Sequence, residues 1–241
     1  MQILITRPEI DAAPLAKALE ALGHVAVIMP LLDIRFRDFG INPSCYRGVL
    51  ATSANGVRAL ERCNSFENIK TLPLYAVGPA SAAEARRAGF AHVETAGGDV
   101  VRLGEHVRTH LEAEGAPLLH VSGKAAAGDL QGMLDGFGFR VERIIGYEAK
   151  KARGFTPQVL QMLQEGDINA VLLYSPRTAV IFSDLVRQSG LDEALGHVRF
   201  FCLSDTVGAK LARISAKAVL VAQSPDQDAL LDLVEQCSQD R

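Results

Sequence analysis

The sequence predicts an α/β protein made of two parallel-sheet lobes joined by a two-stranded β-ladder, and three observations carry that reading. Short β-branched runs alternate with amphipathic stretches rich in Ala and Leu, the habit of a parallel sheet covered by helices. The second half of the chain repeats the pattern of the first, in order. Two strand-like stretches that read as lacking a helix after them, residues 32–37 and 143–148, occupy corresponding places in the two repeats; they read as a solvent-flanked paired ribbon rather than as central sheet.

The elements follow in order. Residues 2–6 are a continuous apolar strand, which Arg7-Pro8 ends; Ala12, Leu15, Leu19 and Leu22 then recur at helical spacing before Gly23. Residues 25–29 form the next strand, at the head of an apolar run that contains Pro30. Further strands are read at 49–52, 74–77, 118–121, 171–174, 200–203 and 218–221, each followed by a helical pattern, with Gly89 and Gly115 standing where helix C-caps belong.

Laid on itself, the chain pairs in three places. At a shift of 115, Leu4, Leu15, Leu19, Leu22 and Gly23 meet Leu119, Leu130, Leu134, Phe137 and Gly138. At 122, Val49, Leu50 and Ser53 meet Val171, Leu172 and Ser175; at 126, residues 74–77 meet 200–203, while Ala85 and Val93 meet Leu211 and Val219. Three pairings in order indicate a duplicated set of β-α-β segments, hence two lobes and a cleft. The spacing leaves open whether each repeat folds on itself or exchanges its first β-α-β unit with the other.

Composition excludes several classes. With 241 residues, 48% apolar and 22% charged, the chain has ordinary globular usage for one large domain or two small ones. No apolar run approaches the roughly 18 residues of a membrane span. The N-terminus enters a strand directly, without a basic region and long apolar stretch, so a cytoplasmic location is expected. Cys45, Cys63, Cys202 and Cys237 lack any C-x-x-C spacing and read as reduced, mostly buried thiols. A net charge of −3 supplies no global basic field for a nucleic-acid backbone. Nucleotide cofactors lose weight because G-x-G-x-x-G and the Walker pattern are both missing, as are G-x-S-x-G and H-E-x-x-H. His106 and His110 have metal-ligand spacing but no third ligand set by a motif, so a solvated helix face is expected there. His24, His92, His120 and His197 read as strand-start or turn residues without chemistry.

What recurs is a strand that ends in a small hydroxyl residue as a helix begins: Thr6-Arg7-Pro8, Thr52-Ser53-Ala54-Asn55-Gly56, Gly78-Pro79-Ala80-Ser81, Val121-Ser122-Gly123-Lys124, Tyr174-Ser175-Pro176-Arg177 and Ser204-Asp205-Thr206. In an open α/β sheet such turns lie at the carboxyl ends of the strands, where ligands bind. A helix N-terminus offers unpaired N–H groups and a positive dipole end to a carboxylate or phosphate. Helix capping alone also explains each turn taken singly.

Four of these segments, with the ladder stretch, carry a resemblance. T-R-P at 6–8, T-S-A-N-G at 52–56, V-G-P-A-S-A at 77–82, I-I-G-Y-E-A at 144–149 and Y-S-P-R-T-A at 174–179 resemble, in order and over essentially the whole chain, the diffuse signature of the uroporphyrinogen-III synthase family. The resemblance implies that the first β-α-β unit completes the lobe built by the C-terminal half. One lobe is then 1–31 with 151–241, the other 38–142, and 32–37 with 143–150 form the ladder. With only a ribbon between them, the lobes are expected to hinge.

The implied reaction closes hydroxymethylbilane, a linear tetrapyrrole with eight carboxylates, into uroporphyrinogen III, inverting the last ring and losing water without cofactor or metal. Tyr147 matches the family's tyrosine beside the ladder and is the expected acid, because a phenol with a pKa near 10 stays protonated at neutral pH; a ladder tyrosine filling the site wall is the alternative. By resemblance Thr52, Ser53, Asn55, Gly78, Ser81, Gly123, Ser175 and Thr206 line the substrate site, with Arg7, Lys124 and Arg177 as charge partners for carboxylates. The family's arginine before Gly123 is replaced by Ser122, and the G-P-T-T-A turn keeps one threonine, Thr206. A monomer is expected, without nucleic-acid or membrane partners, receiving its substrate by transient hand-over from hydroxymethylbilane synthase. The rivals are a two-lobed small-molecule receptor, against which the missing signal peptide counts, and a two-lobed glycosyl transferase, against which the missing nucleotide pattern counts.

Overall fold

The structure, a computed structural model, describes residues 1–125 and 128–239; residues 126–127 and 240–241, which fall inside the two lobe ranges expected from the sequence, lie outside the described residues. The chain forms two compact units, one of Met1–Asp33 with Lys150–Arg241 and one of Ile34–Ala149.

In chain order, β1 (Gln2–Ile5), α1 (Glu9–Ala21) and β2 (Val25–Ile28) lead to β3 (Leu32–Phe36). Then come β4 (Gly48–Ala51), α2 (Ala54–Glu61), α3 (Phe66–Ile69), β5 (Leu74–Ala76), α4 (Pro79–Ala88), β6 (Val93–Thr95) and α5 (Val100–His110). The second half runs through β7 (Leu118–Gly123), α6 (Leu130–Gly136), β8 (Val141–Lys151), α7 (Pro157–Glu165), β9 (Ala170–Leu173), α8 (Pro176–Gln188), β10 (Arg199–Cys202), α9 (Asp205–Gly208), β11 (Ala218–Val221) and α10 (Gln227–Gln239). Most of the expected strands end one residue early, because that last residue already starts the turn into the helix. Among the described residues no helix is long and apolar enough to cross a membrane.

The five-stranded sheet has the order β11-β10-β9-β1-β2 and the six-stranded sheet the order β3-β8-β7-β4-β5-β6. Matching β1 with β7, β2 with β8, β4 with β9, β5 with β10 and β6 with β11, as the repeats require, makes the two sheets the same apart from β3. The first two strands of each repeat join the last three of the other, so the exchanged arrangement is the one observed. Central strands β4, β7 and β9 are buried along their whole length, which is why they read as unbroken apolar runs. In the Ile34–Ala149 unit, Val49, Leu119 and Val121 pack with α2 and α4 on one face, while Leu50, Tyr75 and Leu118 pack with α5 and α6 on the other.

Two expectations are corrected. Residues 143–148 are not a ribbon outside the sheet: β8 is one strand of 11 residues whose first part pairs in parallel with β7, from Leu118 opposite Val141 to Gly123 opposite Tyr147. In the first repeat Pro30 separates β2 from β3, since proline lacks the N–H a ladder needs. The equivalent place in the second repeat is Ile145, so the strand runs through. The second correction concerns Gly115. Gly89 does cap α4 in a left-handed conformation, at φ 96°, but α5 ends at His110 with Leu111 as its C-cap, and Gly115 belongs to the loop beyond.

Gly56 fixes how close α2 lies to the sheet. A Cβ built there would stand within 2.4 Å of the Val121 carbonyl oxygen, a backbone atom that cannot swing aside. A helix-interior Gly→Ala change ordinarily stabilises by up to about 1 kcal/mol, whereas overpacking costs about 1–3 kcal/mol. Gly56→Ala is therefore expected to give a net loss of about 1–2 kcal/mol, read as a lower urea midpoint at unchanged m-value. A stabilised variant would show that α2 is free to lift from β7.

Candidate active site

The turn from β4 into α2 carries Thr52, Ser53 and Asn55. Ser53 is the N-cap of α2, with extended backbone and an Oγ that accepts from the Gly56 N–H at 3.2 Å, so a short polar side chain stands at the positive end of the helix. Its hydroxyl lies 2.7 Å from that of Tyr147 on β8. Asn55 turns onto its own helix, its Oδ1 accepting from Arg58 Nη1 at 3.0 Å, while Arg58 also pairs with Glu84 of α4 at 3.0 Å.

Tyr147 reaches this turn because of an irregularity between β7 and β8. Ser122 faces Ile145, but Gly123 faces Tyr147, so β8 bulges by one residue. The ring then lies against Gly123, where an added Cβ would come within 2.9 Å of Cε2 and Cζ. The Lys124 N–H donates to the Tyr147 carbonyl at 2.9 Å, and its exposed ammonium stands 3.8 Å from Glu148, which also pairs with Arg37 at 3.6 Å. The family's arginine is absent at Ser122, yet a guanidinium is there: Arg143 donates from Nε to Ser122 Oγ at 2.7 Å and from Nη2 to the Gly123 carbonyl at 2.8 Å.

His120, read from the sequence as a strand-start or turn residue, is inside the sheet and bonded to Thr52. It lies within β7, 3% exposed, directly opposite Arg143, and its Nε2 is 3.0 Å from Thr52 Oγ1. Burial, and secondarily the Arg143 charge, pull its pKa down to about 4. Thr52, His120, Ser122 and Arg143 thus form a polar row beside the Ser53–Tyr147 pair. The remaining residues expected in this unit sit one turn away: Gly78 is the extended N-cap of α4, and Ser81, in the first turn of that helix, is buried.

In the Met1–Asp33 and Lys150–Arg241 unit, Arg7 follows β1 and lies over the Tyr174 ring, its Cζ 4.4 Å from the centroid. It also reaches Asp11 at 3.5 Å and Gln227 at 3.1 Å. Burial pushes the Tyr174 phenol up to about 12, against the pull of Arg7. Ser175 caps α8, accepting from the Thr178 N–H at 3.1 Å, with Pro176 and the exposed Arg177 in the first turn. Thr206 is exposed beside Ser204, the hydroxyls 2.9 Å apart.

His106 and His110 stack at 4.2 Å on the surface of α5, with His106 bonded to Glu94 at 2.9 Å; among the described residues no group of three or more His, Cys, Asp or Glu is placed to hold a metal ion.

A family model described as uroporphyrinogen-III synthase HemD matches residues 13–232. The chain belongs to the uroporphyrinogen-III synthase family. As a member it is a cyclising hydro-lyase of tetrapyrrole biosynthesis acting on hydroxymethylbilane. A curated uroporphyrinogen-III synthase from Chlorobaculum parvum is 24% identical over 232 residues, 92% of each chain. Among solved structures, uroporphyrinogen-III synthetase from Helicobacter pylori aligns with a TM-score of 0.65 at 16% identity, over 98% of this chain and 99% of that one. A mutant uroporphyrinogen III synthase from Thermus thermophilus aligns at 0.59 and 16%, covering all of both chains. At such identities the structures speak for the α/β fold, and the two sheets seen here match it.

Proposed function

We propose that Tyr147 is the proton donor of the family reaction in this chain and that the turns at the strand ends hold the substrate carboxylates. The observation that carries the reading is the 2.7 Å contact between the Ser53 and Tyr147 hydroxyls at the N-terminus of α2. With the Gly56 N–H donating to Ser53 Oγ, the serine hydroxyl can donate to Tyr147 Oη and leave the phenolic O–H directed at substrate. Each link polarises the next, and the positive helix end adds to the effect.

That is sufficient chemistry for the step. The pyrrole nitrogen pushes its electron pair into the ring as the C–O bond breaks, and the hydroxyl leaves with the phenol's proton as water, giving an azafulvene. Attack from the substituted carbon of the last ring then passes through a spiro intermediate to the inverted product, and rearomatisation releases the proton that restores the phenol. The greater demand is geometric, because unaided cyclisation joins the near end of the ring. Holding a flexible chain in one near-attack geometry contributes about 7–11 kcal/mol at best.

Carboxylates suit what the turns offer. Thr52, Ser53, Asn55, Gly78, Ser81, Gly123 and Lys124 are the proposed contacts in the Ile34–Ala149 unit. Arg7, Ser175, Arg177 and Thr206 are those of the other. Incubating the purified chain with freshly generated hydroxymethylbilane and separating the product isomers tests the function, with uroporphyrinogen III as the expected product. Only the unrearranged isomer, at the uncatalysed rate, would overturn it.

A further inference from the structure

We propose that Arg143 is a positioning residue for Tyr147, acting through the bulge between β7 and β8 rather than by touching substrate. The inference rests on the reading of Tyr147 as proton donor. Arg143 binds three successive residues at the end of β7. Its Nε donates to Ser122 Oγ at 2.7 Å, and its Nη2 donates to the Gly123 carbonyl at 2.8 Å and the Lys124 carbonyl at 3.4 Å. Among the described residues no carboxylate pairs with it.

Those three residues are the ones that place the phenol. Gly123 is the surface on which the ring lies, without room for even a methyl group between them. The Lys124 N–H holds the Tyr147 carbonyl at 2.9 Å. Ser122, buried and donating to the Gly123 carbonyl at 3.3 Å, gives the guanidinium its first contact. Where β8 bulges, the regular ladder with β7 is broken, so the β7-end carbonyls opposite the bulge take donors from a side chain instead. The planar guanidinium can bridge Ser122 Oγ and the Gly123 carbonyl at once, which a single ammonium on a flexible stem does poorly. Because ring and glycine are in contact, any drift of residues 122–124 moves the phenolic oxygen relative to Ser53. A displacement of about 1 Å in a reacting group costs on the order of 10²-fold in rate.

The test measures kcat and KM with fresh hydroxymethylbilane for the wild type, Arg143→Ala, Arg143→Lys and Ser122→Ala. Arg143→Ala is expected to lower kcat by on the order of 10- to 100-fold with KM nearly unchanged. Arg143→Lys and Ser122→Ala should fall between it and wild type, and added guanidinium ion at non-denaturing concentration should recover part of the Arg143→Ala rate. If Arg143→Ala does not fold, the lysine and serine variants carry the same reading. A kcat equal to wild type in the variants that fold overturns the proposal. So does a loss borne by KM alone, since that is the signature of a side chain gripping a substrate carboxylate. A wild-type chain that yields no uroporphyrinogen III fails at the earlier step and takes down the functional reading itself.

Discussion

Tyr147→Phe is expected to lower kcat by on the order of 10²-fold while leaving the fold intact. The two consequences come from different parts of the side chain. The ring is what packs on Gly123, and phenylalanine keeps it, so the bulge and the β7–β8 pairing should survive. The hydroxyl is what meets Ser53 at 2.7 Å, and it alone is lost. Removing a side-chain hydrogen bond of this kind costs about 1 kcal/mol of stability, read as a small shift in thermal midpoint with unchanged near-ultraviolet circular dichroism. General acid assistance contributes on the order of 10²- to 10⁴-fold in enzymes. The lower end applies here because an electron-rich pyrrole already expels hydroxide readily. Product made by the variant should still be the inverted isomer if the phenol serves departure of the hydroxyl and the carboxylate contacts serve folding of the substrate. A variant with the parent's kcat would remove the role assigned to Tyr147.

Acid should destabilise the protein through His120 in a window set by that one imidazole. Unfolded, it takes up a proton near 6.5, the ordinary histidine value. Folded, it resists until about 4, first because it is buried and then because Arg143 is its neighbour across the strands. Between those values the unfolded chain binds more protons, so stability rises with pH there. The contribution is fully present above about 6.5 and is lost as pH falls towards 4. Each pH unit of the window carries about 1.4 kcal/mol, or about 3 kcal/mol in all. His120→Phe, which removes the titration, should flatten the loss measured as urea midpoints between neutral and acid pH. Carboxylates titrate in both proteins and cancel in the comparison. Parallel curves for the two proteins would show that His120 takes up its proton without unfolding cost.

Most of the fold was legible in the sequence, for a reason visible in particular residues. The central strands are buried on both faces, so Val49-Leu50-Ala51 and Val171-Leu172-Leu173 stand out as unbroken apolar runs. Helix starts announce themselves where a proline occupies the first helical position after an extended residue, as at Gly78-Pro79 and Ser175-Pro176; the same signal at Thr156-Pro157 was missed, because the stretch before it read as a ribbon without a helix. The ladder was harder to read. The alternation at 143–148 was seen, but an edge-like pattern is also what an internal strand shows when its side chains are only partly buried, and β8 has β7 on one side and β3 on the other.

The candidate site was legible in part. Ser53 and Tyr147 could be named because each lies in a motif of its own, yet nothing in their spacing of 94 residues says that the hydroxyls meet. His120 was read as a residue without chemistry, and Arg143 only as the first residue of the alternating stretch. A lone histidine inside an apolar strand and an arginine in an alternating stretch have ordinary explanations when read locally, and they acquire a role only when parallel pairing sets them opposite each other.

The order of strands and helices, the duplication, the helix-starting turns and the expectation of a phenol as acid rather than an imidazole or carboxylate followed from the amino-acid sequence and its resemblance to a family, because propensity, periodicity and motif are properties of neighbours along the chain. The exchange of β-α-β units, the one-residue bulge that aims Tyr147, and the guanidinium brought to Ser122 from the next strand were decided by tertiary structure. Register between strands depends on contacts across more than twenty residues of sequence, and a slip of one residue would turn the same side chains to the opposite face of the sheet.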